Sequence, residues 1–175
     1  MTNRPFAPYY RSVRYSRLAL ALLCLPLAAL TACDRGARPG LTGEVAPDFT
    51  VSDGTSSVHL ADYRGKVVLL NFWWTQCAPC IQEMPGLLDL HHERPDLAIL
   101  AVSIDEDADT YRHFVDRHHV DLITVRDPTE SAAQLYHTEG WPETYVISRK
   151  GVILRKFVGD PGWSNPEIRA YLQGL

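Results

Sequence analysis

Cys77 and Cys80 stand two residues apart at a junction between two kinds of sequence. Before them runs an unbroken apolar stretch, Val67-Val68-Leu69-Leu70-Asn71-Phe72-Trp73-Trp74, that reads as a buried strand; after them, Ile81 to about His92 has helical character. Two cysteines at this spacing on a strand-to-helix turn can cycle between dithiol and disulfide. The first would sit at the helix N-terminus, where unpaired N–H groups and the helix dipole favour a thiolate. The second would lie one turn on, close enough to close a disulfide. The competing chemistry is half a zinc site. Zinc needs four ligands, the chain has no second pair of this kind, and His91-His92 and His118-His119 lack the expected ligand spacing.

The two other cysteines fall in a segment that reads as a targeting signal. Arg11, Arg14 and Arg17 form a basic region, and Leu18 to Leu30 is apolar but too short for a comfortable membrane span. It ends in Leu30-Thr31-Ala32-Cys33, which resembles the lipobox of bacterial lipoproteins, where the cysteine takes lipid and becomes the new N-terminus. Residues 1–32 are therefore expected to be a signal peptide, Cys33 the lipidation site and residues 33–46, rich in Gly, Pro and polar residues, a flexible tether. Asp34 after such a cysteine points to inner-membrane retention, so the expected location is the extracytoplasmic, periplasmic side. Cys24 would be discarded with the signal, which leaves Cys77 and Cys80 as the thiol chemistry of the mature chain. A bridge closing so short a loop restrains little chain entropy, so its value is chemical. The formal net charge is −4, and residues 1–32 hold four arginines and no acid, so the remainder is more acidic still. Phosphate repels such a surface, which argues against nucleic-acid binding.

The elements that must position the pair can be read in order. Phe49-Thr50-Val51 and Val58-His59-Leu60 flank Asp53-Gly54 and predict a hairpin. Val67 to Trp74 and Leu97 to Val102 read as buried parallel strands. Asp107 to His119 opens with acids that suit a helix N-terminus. Leu122 to Val125 is a short strand, and Asp127-Pro128 is expected to cap a helix running to about Tyr136. Tyr145–Ser148 and Val152–Val158 form a strand pair turning at Lys150-Gly151, and Asn165-Pro166-Glu167 opens a last helix. Pro85 is expected to kink the helix that follows the cysteines. Strands alternating with helices, then an antiparallel pair and a closing helix, predict an α/β domain over residues 47–175.

Four stretches carry a family resemblance over nearly all of residues 46–175. They are Ala46-Pro47-Asp48-Phe49 with Leu60, Gly65-Lys66 and Leu69; Phe72-Trp73-Trp74-Thr75-Gln76-Cys77-Ala78-Pro79-Cys80; Glu83-Met84-Pro85; and Gly140-Trp141-Pro142-Glu143-Thr144. Together the chain resembles the thioredoxin-fold thiol-disulfide oxidoreductases of the TlpA/ResA type. The resemblance implies a thioredoxin-like fold, a central mixed sheet flanked by helices with an N-terminal hairpin extension. It makes Cys77 the nucleophile and Cys80 the resolving thiol. Glu83, three residues past Cys80, would handle protons, set against the plainer reading of a solvated helix glutamate. Pro142 would be cis and, with Trp141, Trp74 and Gln76, would line the client site. Trp73 is assigned to the core. Gln76 stands where thioredoxins commonly carry tryptophan, and Asn71 where thioredoxin buries an aspartate; Asn71 is read as an ordinary interior amide. The histidines and Asp105-Glu106-Asp107-Asp109 are read as surface and capping features.

The expected activity is thus reduction of disulfides in selected proteins, with apocytochrome c maturation as a possible setting. The redox-active Cys77–Cys80 disulfide would serve in place of a metal or organic cofactor. The expected partners are protein thiols and disulfides, an integral-membrane thiol electron donor, and the membrane itself through the lipid anchor. Two alternatives differ in class. A peroxiredoxin-like peroxidase places Thr or Ser three residues before its cysteine, whereas Thr75 is two before Cys77. A copper-binding module spaces its cysteines by three and adds a distal histidine, for which His137 is a weak candidate.

Overall fold

The computed structural model of the protein describes residues 41–175. The expected signal peptide and Cys33 lie outside the described residues. In chain order the elements are strands β1 (Thr50–Ser52) and β2 (Ser57–His59), a 3-10 turn at Leu60–Tyr63, β3 (Val67–Trp73), helix α1 (Ala78–Glu93), β4 (Leu97–Ser103), α2 (Ala108–Arg117), β5 (Ile123–Arg126), α3 (Ser131–Leu135), β6 (Glu143–Ile147), β7 (Ile153–Val158) and α4 (Pro166–Gln173).

The two-residue period of an extended chain sets the layers. All seven residues of β3 and of β4 are buried. Val67, Leu69 and Trp73 join one apolar core; Val68, Leu70 and Phe72 join the other. β4 divides in the same way, with Leu97 and Ile99 on the first side and Ala98 and Leu100 on the second. Successive side chains of a strand point to opposite faces, so continuous hydrophobicity requires cover on both. The first core is closed by α1, α2 and α4 through Leu87, Leu90, Phe114, Ile168 and Leu172. The second is closed by the hairpin and α3 through Phe49, Val51, Val58 and Ala132.

The five-stranded sheet has the order β5-β4-β3-β6-β7, and β1-β2 form a separate antiparallel pair. β3 pairs parallel with β4, and β4 parallel with β5. β6 runs antiparallel to β3, with Phe72 opposite Glu143. That register puts the exit of β3 and the entry of β6 at the same end of the sheet. The Lys150-Gly151 turn is at the other end. Gly151 has φ +79°, and the Arg64 guanidinium occupies the space a β-carbon would take there.

Two expectations need correction. Residues 43–46 are not free tether: Gly43 N–H donates to Ile153 O at 2.7 Å, Ile153 N–H to Glu44 O at 2.9 Å and Ala46 N–H to Gly151 O at 2.8 Å. Apolar Val45 and Ala46 extend the strand pattern backward and dock against the start of β7. Asp127 does not open a helix with Pro128. Instead α3 begins at Ser131, and the Asp127 carboxylate reaches forward to accept from Ala132 N–H at 2.8 Å and from the hydroxyls of Thr129 and Ser131. It caps the helix from outside because Glu130, at φ 56°, turns the chain between them. Helix α1 continues across Pro85 for 16 residues.

Asp127 is 3% exposed and serves three donors. Replacing it with Ala strands a buried backbone N–H, and Asp127→Ala should lose about 2 kcal/mol. Urea titration should show a lowered midpoint with an unchanged slope.

Candidate active site: the Cys77–Cys80 pair and the carboxyl beneath it

Cys77 is the N-cap of α1. Its backbone is extended (φ −88°, ψ 105°), and its Sγ accepts from Cys80 N–H at 3.2 Å. Pro79 falls in the first turn, where its missing N–H costs nothing. No acidic residue sits in that turn, so the helix N-terminus presents an uncompensated positive end to the sulfur. The two cysteines are joined as a disulfide, with Cα atoms 5.2 Å apart. Cys77 keeps 6% exposure and Cys80 none. The pair is therefore open to a partner from the Cys77 side alone.

Glu83 lies on the buried stripe of α1 formed by Cys80, Glu83, Met84, Leu87 and Leu90. At 2% exposure it is not a solvated helix glutamate. Asn71 Nδ2 donates to its Oε1 at 2.8 Å, and Trp163 Nε1 donates to its Oε2 at 3.1 Å. Asn71 Nδ2 also donates to Thr144 Oγ1 at 3.0 Å. Burial pushes the Glu83 pKa up to about 7; the two donated hydrogen bonds oppose the shift, and the negative charge of Asp160 adds to it. The carboxyl thus changes protonation near neutral pH one turn below Cys80.

The sequence missed two members of this group. By sequence Asn71 is an ordinary interior amide, yet it binds the carboxyl directly. Strand parity carried that signal: position 71 falls with 67, 69 and 73, which face α1. Trp163 comes from the loop after β7 and had no local signal; its β-carbon packs 3.2 Å from where a side chain on Gly86 would begin.

The loop before the cysteines is held from β4. Asp105, expected at the surface, is 4% exposed. It accepts from Thr75 Oγ1 at 2.6 Å, Thr75 N–H at 3.1 Å and Ser103 Oγ at 2.6 Å. Its neighbours do behave as expected: Asp107 caps α2 through Thr110 N–H, and exposed Asp109 pairs with Arg112. The facing loop holds a cis Trp141–Pro142 bond. Glu143, next to it, is 2% exposed and is met by Lys156 Nζ at 2.8 Å and Tyr145 Oη at 3.0 Å. Trp74 and Trp141 are half-buried and pack on the core that contains both cysteines, whereas Gln76 is exposed. Trp73 is fully buried. Among the described residues, no group of three or more His, Cys, Asp or Glu side chains is placed to hold a metal ion.

Comparison with known proteins agrees with this geometry. The AhpC/TSA family model matches residues 42–156. The thiol-disulfide oxidoreductase ResA of Geobacillus kaustophilus is 34% identical over 136 residues, covering 76% of this chain and 77% of that protein. The thioredoxin-like protein YneN of Bacillus subtilis is 40% identical over 124 residues, covering 67% and 71%. The chain belongs to the AhpC/TSA family, as a ResA-like thiol-disulfide oxidoreductase. Among solved structures, a candidate thiol:disulfide interchange protein DsbE from Chlorobium tepidum superposes with a TM-score of 0.71 at 27% identity, covering 76% of this chain and 96% of that one. A thiol:disulfide interchange protein from Bacteroides sp. gives 0.65 at 28% identity, covering 76% and 91%. The fold of this ResA-like oxidoreductase is thioredoxin-like, with a mixed sheet, flanking helices and the N-terminal hairpin.

The raised pKa of Glu83 has a stability consequence. Between its ordinary value of 4.5 and about 7, the folded protein holds a proton that the unfolded chain has released. Unfolding free energy of the oxidised protein should therefore be highest below the lower value and fall as pH rises to the upper one, by up to about 3 kcal/mol. Glu83→Gln should flatten that slope. Denaturant titrations at closely spaced pH values would measure it, and an equal slope in both proteins would contradict the assignment.

Proposed function

We propose that this oxidoreductase works as a reductant of disulfides in selected extracytoplasmic proteins, with Cys77 as nucleophile, Cys80 as resolving thiol and Glu83 as proton store. The observation that carries the reading is the vertical order of the three groups: Cys77 at the helix tip with slight exposure, Cys80 buried behind it, and Glu83 buried one turn further in. In the reduced protein the Cys77 thiolate attacks one sulfur of a client disulfide. A Cys77–client bond forms, the client S–S bond breaks, and the departing sulfur leaves as a thiolate and takes a proton. Cys80 gives its proton to the Glu83 carboxylate and attacks Cys77 Sγ. The second client thiol leaves, and two electrons have passed to the client as the Cys77–Cys80 disulfide closes. The redox pair itself is the cofactor, and an integral-membrane thiol donor returns the electrons.

Trp141, Pro142, Trp74 and Gln76 form the client-facing rim. Among the described residues, Trp141 has no backbone hydrogen-bond partner, which leaves its N–H and C=O available to pair with an extended client strand. Lipid on Cys33 places the domain at the periplasmic face of the inner membrane. Apocytochrome c is a client class consistent with the Pro142-Glu143-Thr144 loop. A peroxidase reading is less well supported, because the Thr75 hydroxyl donates to Asp105.

Cys80→Ser should accumulate mixed disulfides through Cys77 that identify the clients, and Cys77→Ser should accumulate none. The reduction potential decides direction: a value near −270 mV marks a reductant, and one near −120 mV an oxidant. Cys33→Ser should move the protein from the membrane fraction to the soluble fraction.

A further inference from the structure

A groove of about 410 Å³ opens beside the redox pair, between Thr75-Gln76 and helix α2. Gln76, Thr110, His113, Arg117 and His118 offer side-chain donors to it, and Phe114 adds an apolar wall. The ring of His118 stacks on Phe114, with centroids 4.2 Å apart and planes at 29°. Asp109 also lines the groove, but its carboxylate is engaged by Arg112. Among the described residues, Arg117 makes no ion pair and its guanidinium no hydrogen bond. A cation in the last turn of a helix complements the dipole, and that alone would explain Arg117. It does not explain why two imidazoles and an amide converge on the same cleft. Residues 41–175 carry twenty carboxyl side chains against eleven lysines and arginines, so an Arg117 guanidinium without an acidic partner runs against the prevailing charge of the domain.

We propose that this groove is a client subsite that selects segments bearing Asp or Glu close to the disulfide under attack. The inference rests on Cys77 exchanging with protein disulfides. Continuity places the groove on the client's path: Gln76 immediately precedes Cys77, so a chain bound at the sulfur passes over it. Gln76 lines the cleft, and the larger indole of tryptophan in its place would take up part of that space. Guanidinium and imidazole N–H groups recognise a carboxylate by charge-assisted hydrogen bonds, and an amide side chain in the client forfeits the charge. Charges at the rim of an interface act mainly on the rate of encounter and on its salt dependence.

The test uses the reduced Cys80→Ser protein and two disulfide-linked peptide dimers that differ only in having Glu or Gln on either side of the cysteine. The rate of mixed-disulfide formation with Cys77 is measured at low and high salt. The Glu peptide should react about fivefold faster at low salt, with the preference fading as salt rises. Acidic neighbours also alter the leaving thiol, but that effect is the same for every protein variant and cancels when their preferences are compared. Arg117→Glu should reverse the preference, and Gln76→Trp, which changes no charge, should abolish it. A Glu-to-Gln rate ratio that is the same in the parent, Arg117→Glu and Gln76→Trp proteins would overturn the subsite while leaving the exchange reaction standing. Reaction with neither peptide would overturn the exchange reading and this one with it.

Discussion

The constraint on which the rest of this site depends is a carboxyl group inside the core. An isolated carboxylate in an apolar interior is costly, and the group either finds partners or keeps its proton. Glu83 does both. Its two donors come from different parts of the chain, Asn71 in β3 and Trp163 in the loop after β7, and Asn71 passes the connection on to Thr144 in β6. Helix α1, two central strands and the last loop thus meet at one polar point in an otherwise apolar layer. Specific hydrogen bonds of this kind fix register where hydrophobic packing alone would tolerate sliding. The redox pair inherits that precision, because Cys80 and Glu83 share one face of the same helix.

Two further buried carboxylates hold the loops on either side of the sulfur atoms. Asp105 grips Thr75 before Cys77, and Glu143 is locked by Lys156 and Tyr145 just after Pro142. Both are satisfied by donors from neighbouring strands and loops, so the flexible segments are fastened to the rigid sheet at residues adjacent to the reactive ones. Thiol exchange passes through a nearly linear arrangement of three sulfurs, and a site held in place spends less of its binding free energy on alignment.

Much of this was legible in the sequence, for reasons that differ by element. The unbroken apolar runs of β3 and β4 leave little choice but a doubly covered sheet, and the Cys-x-x-Cys turn is local, so both are read correctly. The spacing from Cys80 singles out Glu83 but does not fix its burial, although the stripe Cys80, Met84, Leu87 and Leu90 marks its face. Asn71 needed the parity of its strand to be combined with the phase of the following helix. Trp163 and Asp105 act across 80 and 30 residues of chain, and no local pattern encodes such a contact. Asp105 departs from the surface role its sequence suggests, because an acidic cluster looks solvated until the strand beside it shows which member points inward.

The docking of residues 43–46 along the start of β7 gives the domain a polarity. Those residues join the sheet beside the Lys150-Gly151 turn, at the end opposite the exit of β3. Seven residues of extended strand separate the two poles by roughly 20 Å. Any load applied to the chain N-terminal to residue 41 reaches the sheet at its far pole and is carried through backbone hydrogen bonds to β7. The redox pole, with Cys77 at its tip, faces away from residues 43–46, which dock at the far pole.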